Sequence, residues 1–119
     1  SMTTTSMKSF TDTPLWNSKN NQRMWKMYLK NATAQQEQIA IPMKNPLPEV
    51  LPPTYIETAE FDCLHDEAIL YAEKIKNHTA ELQINETKGT FHGYDMLSSH
   101  PISKDSVAKR IAFMKKWKD

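Results

Sequence analysis

The segment Pro52-Pro53-Thr54-Tyr55-Ile56-Glu57-Thr58-Ala59-Glu60-Phe61-Asp62 opens on two prolines and closes on an aspartate. β-branched and aromatic residues dominate between them, so the pattern predicts a strand over 54–61. From Asp66 to Asn77 the apolar spacing becomes helical. Ala68, Ile69, Tyr71, Ala72 and Ile75 share one face, and Asp66 and Glu67 sit where the helix dipole favours carboxylates. Residues 81–87 alternate again, with Leu82 and Ile84 on one face, and predict a second strand. Residues 88–95 follow as a loop carrying Gly89, His92 and Gly93. Strand, helix and strand in so short a stretch form a βαβ unit with parallel strands and a right-handed crossover. The fold class is α/β.

Outward from this unit the pattern is plainer. Residues 1–17 are rich in Ser and Thr and read as a tail or loop, with Ser1-Met2 resembling the remnant of a cleaved tag. A helix is predicted over 19–30, capped by Ser18 and stopped by Asn31. Its stripe of Met24, Met27 and Tyr28, flanked by Trp25 and Leu29, reads as packing. Pro42, Pro46, Pro48, Pro52 and Pro53 make 32–53 a helix-free connector. A last helix is predicted over 103–117. Val107, Ile111 and Met114 form its apolar stripe, and Lys115, Lys116 and Lys118 gather at its negative end.

Composition excludes whole classes of function. The chain has 119 residues, enough for one domain, and 15 basic against 14 acidic residues give a net charge of +1. No field exists to gather nucleic acid or an anionic membrane. One cysteine, Cys63, rules out an internal disulfide framework and a multi-cysteine zinc cluster. Only two glycines occur, where average usage would give about eight. They cannot build a glycine-rich phosphate loop or a Gly-x-Ser-x-Gly nucleophile elbow. No membrane span, cofactor or metal is expected. The lone cysteine and the lack of a visible leader point to the cytoplasm, and the Asn-x-Thr triplets at Asn31, Asn77 and Asn85 read as chance. A mean hydropathy of −0.67 implies a thin core or one completed by a partner.

Ligands of parallel sheets gather outside the carboxyl ends of the strands. Asp62 follows the first predicted strand, and His92 lies in the loop after the second. One crossover separates them, so a carboxylate and an imidazole can meet on neighbouring strand ends. That makes two-thirds of a nucleophile–base–acid triad. Rival readings are weaker. Asp62, His65, Asp66 and Glu67 cluster in sequence but leave one turn in different directions, which does not make a metal site. Cys63 lacks identifiable oxyanion donors for a catalytic role, and His78 and His100 read as solvent or loop residues.

Leu51 to Glu67 resembles the acid-bearing segment of hormone-sensitive-lipase-like carboxylesterases, where such a strand ends in Asp-Pro-Leu-x-Asp-Glu. Tyr71-Ala72-Glu73-Lys74-Ile75 resembles the helix that follows. Gly89-Thr90-Phe91-His92-Gly93-Tyr94 resembles that family's His-Gly-Phe loop. Thr13-Pro14-Leu15-Trp16-Asn17 and the helix around Trp25 resemble a segment that helps cover the site, so the likeness runs from about Thr11 to Asp119. It implies that Asp62 is the triad acid and His92 the base, with Asp66, Glu67 and Gly93 in supporting structural roles. Cys63 and Tyr94 depart from the family's Pro and Phe. The nucleophile elbow and the His-Gly-Gly-Gly oxyanion loop are absent.

The expectation is therefore the carboxyl-terminal portion of an α/β-hydrolase: the acid and base of a serine carboxylesterase or lipase acting on small acyl esters, inactive alone. The alternative is a non-catalytic remnant that self-associates or binds a partner. Its unpaired strand edge would pair with the missing amino-terminal part or a second copy.

Overall fold

The computed structural model describes residues 2–118. Its elements in chain order are α1 (Thr5–Ser9), α2 (Ser18–Tyr28), α3 (Ala34–Ala40), a 3₁₀ turn (Pro42–Lys44), β1 (Thr54–Phe61), α4 (His65–Ile75), β2 (Leu82–Phe91), a second 3₁₀ turn (Tyr94–Met96) and α5 (Pro101–Lys116). β1 and β2 pair in parallel and are the two strands of the sheet among the described residues. α4 is the crossover and packs on β1. Ala72 and Ile75 are its buried positions, as its helical spacing requires.

Few large side chains are buried. Met7, Cys63, Ala72, Ile75, Tyr94 and Phe113 carry most of the core, alongside buried Ser6, Ser18, Asn21, Ser103 and Ser106. The radius of gyration is 15.7 Å, above the ~13.5 Å of a compact chain of this length. A thin core and a flattened outline are the structural form of the low mean hydropathy.

Several expectations need correction. The 1–17 tail contains α1, whose Ser6 and Met7 are buried. The connector contains α3, which ends before Pro42. Thr33 and Gln36 close a reciprocal capping box at its start, so the prolines bound this helix and do not forbid it. α2 is capped by Asn17, whose side chain accepts the Asn20 N–H, and Ser18 is its first helical residue. β2 runs on through four residues assigned to the loop. α5 starts earlier than predicted, with Pro101 in its first turn and His100 as its cap.

The largest correction concerns which faces turn inward. Val107, Ile111 and Met114 are exposed, while Ser103, Ser106 and Phe113 are buried. On β2 the buried positions are Asn85, Thr87 and Thr90, and Ile84 is exposed. Hydrogen bonding explains both. The Ser106 and Tyr94 hydroxyls lie 2.6 Å apart, Thr87 Oγ1 donates to the Thr58 carbonyl, and Thr90 Oγ1 donates to the Thr87 carbonyl. Polar groups that satisfy one another can occupy the interior. Asn85 is itself hydrogen-bonded inside this interior, its Nδ2 donating to Glu57 Oε2.

Candidate active site

Asp62 is the first residue beyond β1. Its backbone carbonyl accepts the His65 N–H and its Oδ1 accepts the Leu64 N–H at 2.9 Å, an Asx turn that carries the chain from strand into α4. The turn leaves Oδ2 facing β2, where it lies 2.7 Å from His92 Nδ1. Asp62 is buried, while the His92 ring is 43% exposed. An ionised carboxylate only accepts, so in this contact Nδ1 donates its proton and Nε2 keeps its lone pair. Imidazole and carboxylate are arranged to take up a proton at Nε2 and to stabilise the resulting cation.

A slip in strand register makes this contact. From Thr54↔Leu82 to Ala59↔Thr87 the partners are 28 positions apart, but at Phe61↔Phe91 they are 30 apart. Without the slip Asp62 would sit beside Thr90 rather than His92. The two extra residues form a bulge that Gly89 permits through a left-handed φ of 67°. Gly89 N–H donates to Glu60 Oε2 at 2.7 Å and closes the bulge onto β1.

The segment before α2 packs beside His92. The Trp16 ring lies 6.1 Å from the His92 ring, centroid to centroid, at 36°. Leu15 holds a φ of 61°, a strained conformation for a branched residue. A Cβ on Gly93 would meet Leu15 Cδ1 at 3.2 Å, and Gly93 has φ 76°. Gly93→Ala is therefore expected to cost about 1–2 kcal/mol in urea unfolding from the left-handed backbone alone, and to weaken the ring contact between Trp16 and His92. Trp fluorescence that stays unchanged across the substitution would contradict the second part.

α4 opens without a cap of its own, and α1 supplies one. Ser6 N–H donates to Asp66 Oδ2 at 2.8 Å, Ser6 Oγ accepts the Asp66 N–H at 3.2 Å, and Ser6 Oγ donates to the Cys63 carbonyl. Hydrogen bonds from His65, then from the Ser6 N–H, hold the Asp66 carboxyl below its usual range. Glu67 completes the acidic first turn. His65 lies between Asp66 Oδ1 at 3.0 Å and Glu86 Oε2 at 3.2 Å, and no group of three or more potential ligands among the described residues could hold a metal. Burial pushes the Cys63 thiol up to about 12, and the Asp62 charge adds to it. The thiol is therefore protonated at neutral pH and is a poor nucleophile. His78 Nδ1 meets the Pro48 carbonyl at 2.9 Å and His100 caps α5, so both do local structural work.

Beside the pair lies a polar cluster that the motif reading passed over. Glu57, on β1, accepts from Tyr94 Oη at 2.7 Å, Tyr55 Oη at 3.1 Å and Asn85 Nδ2 at 3.3 Å. Arg110 of α5 forks onto both its oxygens. Burial alone would raise this carboxyl, but the hydrogen bonds from Arg110, Tyr94 and Asn85 prevail and hold it at about 2. Burial, then Glu57, pushes Tyr55 up to about 12. The available signal was Glu57 itself, a charge inside a strand otherwise rich in β-branched and aromatic residues.

This fold, with an acid and an imidazole meeting at its strand ends, defines a class. The chain belongs to the alpha/beta hydrolase fold family, whose model matches residues 1–96. It is 32% identical over 72 residues to neutral cholesterol ester hydrolase 1 of Pongo abelii, covering 60% of this chain and 17% of that protein. Among solved structures it is similar to a bacterial heroin esterase, with TM-score 0.81 and 30% identity, covering 97% of this chain and 38% of that one. A thermostable esterase from Pseudomonas putida matches with TM-score 0.77 and 28% identity over 92% of this chain and 36% of its own. The chain thus spans about a sixth of the curated relatives' length and just over a third of the esterase structures. No helix among the described residues is long and apolar enough to cross a membrane.

Proposed function

We propose that Asp62 and His92 are the acid and base of a serine carboxylesterase or lipase site. The 2.7 Å contact between Asp62 Oδ2 and His92 Nδ1 carries this reading. In it, His92 Nε2 takes the proton of a serine hydroxyl as that oxygen attacks an ester carbonyl. It then returns the proton to the departing alcohol, while Asp62 holds the ring and stabilises the imidazolium. The serine and the oxyanion donors come from a section of the fold outside these 119 residues, so the chain alone forms no acyl-enzyme. Esterases make up the solved structures it resembles, and cholesterol ester hydrolases the curated relatives. Both favour carboxylic esters as the substrate class. The free, buried Cys63 fits a reducing compartment such as the cytoplasm.

The partner in this reading is the serine-bearing section of an α/β-hydrolase. A two-stranded sheet leaves backbone N–H and C=O groups unpaired along its outer edges. Among the described residues β1 is paired on one side only, and Val107, Ile111, Met114 and Trp117 line one exposed side of the last helix and its end. A second copy of the chain could cover the same surfaces without creating activity, which is the non-catalytic alternative.

Hydrolysis of a short-chain aryl ester tests both parts. The chain alone is expected to run at the buffer rate. Joined to the Gly-x-Ser-x-Gly section of a related esterase, it is expected to turn over. Turnover by the chain alone that disappears on His92→Ala would overturn the need for a partner, and a joined enzyme indifferent to His92→Ala would overturn the assignment of the base.

A further inference from the structure

We propose that Arg110 is a positioning residue, a single guanidinium that holds the strand bearing Asp62 and the turn bearing His92 in one frame. The inference rests on the acid–base reading of those two residues. Arg110 Nε donates to Glu57 Oε2 at 3.1 Å and Nη2 donates to Oε1 of the same carboxylate, while Nη1 donates to Asp95 Oδ2 at 2.8 Å. Glu57 precedes Asp62 on β1 by five residues, and Asp95 follows His92 by three. The two arms of the fork therefore reach the two elements that carry the pair, from a third element, α5.

The sheet does not do this job. The β1–β2 ladder ends at Phe61↔Phe91, so Asp62 and His92 both lie beyond it. The ladder's last step is also the irregular one, with the bulge immediately before. Past that point the chain continues through the turn containing Asp95, and the Arg110 contact ties that turn back towards β1. Arg110, Glu57 and Asp95 line the same cleft of about 390 Å³ as Asp62 and His92. The guanidinium donates to neither member of the pair, so its influence runs through Glu57 and Asp95.

Chemistry limits what can replace it. Planar N–H donors in a fixed fork can engage one carboxylate with two bonds and a second carboxylate with another, and a lysine ammonium is a point charge without that geometry. The Glu57 side chain is 13% exposed, so solvent screens this arm little. Tyr94 Oη, bonded to Glu57 Oε1 at 2.7 Å, gives the turn a second tie to the same carboxylate.

The test reads the His92 ring directly, in the full chain labelled with ¹⁵N-histidine. At alkaline pH, with the imidazole neutral, long-range ¹H–¹⁵N spectra give the ratio of the Nδ1–H to the Nε2–H tautomer. The Nδ1–H form is expected to dominate in the wild-type chain. Arg110→Gln and Asp95→Asn are expected to lower the ratio about tenfold, the change that goes with loss of a charge-assisted hydrogen bond, and Arg110→Lys to fall between. Asp95→Asn leaves the Glu57–Arg110 pair in place, so it reports even if Arg110→Gln fails to fold by far-UV circular dichroism. A folded Asp95→Asn chain with an unchanged ratio overturns the clamp. Asp62→Asn separates the two ideas: no change there sinks the acid–base reading and the clamp with it, whereas a change there with none in Asp95→Asn sinks the clamp alone.

Discussion

Asp62→Asn, in the chain joined to a serine-bearing section, is expected to lower kcat by about 10⁴ with the fold intact. The substitution keeps size and removes charge, and its amide can present N–H to Nδ1. The imidazole would then carry its proton on Nε2, the atom that must receive one from the nucleophile. His92→Ala removes the base itself, and a loss of about 10⁶ is expected. The double variant should be no slower than His92→Ala alone, because the two groups act as a unit. Single-turnover acylation with a chromogenic ester checks each value. A loss under about tenfold for Asp62→Asn would mean that the 2.7 Å contact is structural, since an acid that sets the tautomer has a far larger effect.

Glu57→Gln is expected to cost about 3 kcal/mol of stability at neutral pH, with a signature in its pH dependence. The folded carboxyl is held at about 2 against an ordinary 4.5, and a gap of that size corresponds to about 3 kcal/mol. The sign follows from proton counting. Below 4.5 the unfolded chain takes up the proton while the folded chain does not, so wild-type stability falls as pH drops through the window from 4.5 to about 2. The contribution is complete above that window. Glutamine has no such titration, so the stability gap between the two proteins should be full at neutral pH and close across the same window. Urea midpoints measured across this range decide it. A gap that stays constant with pH would assign the loss to side-chain packing.

The two predictions draw on different kinds of legibility. The meeting of Asp62 and His92 could be read from spacing: a strand ending on Asp62, a helix-length crossover and a glycine-flanked His92 place both residues at one sheet edge by geometry common to all parallel βαβ units. The Glu57 cluster has no such rule. Tyr55, Glu57, Asn85, Tyr94, Ser106 and Arg110 are scattered over two strands, a turn and a helix. Only packing shows that their polar atoms converge.

α5 shows why periodicity misled. Val107, Ile111 and Met114 make a credible apolar stripe, and a helix packed on a complete core would bury it. Here Ser106 and Arg110 find hydrogen-bond partners in Tyr94, Asn85 and Glu57, so the helix turns its polar side inward. The exposed stripe is the surface the proposed partner would cover. α1 escaped notice for a related reason: a five-residue helix has too little periodicity to detect, and its anchor is the Ser6–Asp66 contact, 60 residues apart in sequence.

By itself the sequence determined the α/β class, the parallel crossover and the placing of Asp62 and His92 at neighbouring strand ends, because alternation, helical spacing and turn chemistry act over neighbouring residues. The tertiary structure decided the two-residue slip that aligns His92 with Asp62, the inward face of α5 and the convergence of Arg110 on Glu57 and Asp95. Those depend on where distant polar groups find partners once water is excluded, a condition that no local pattern encodes.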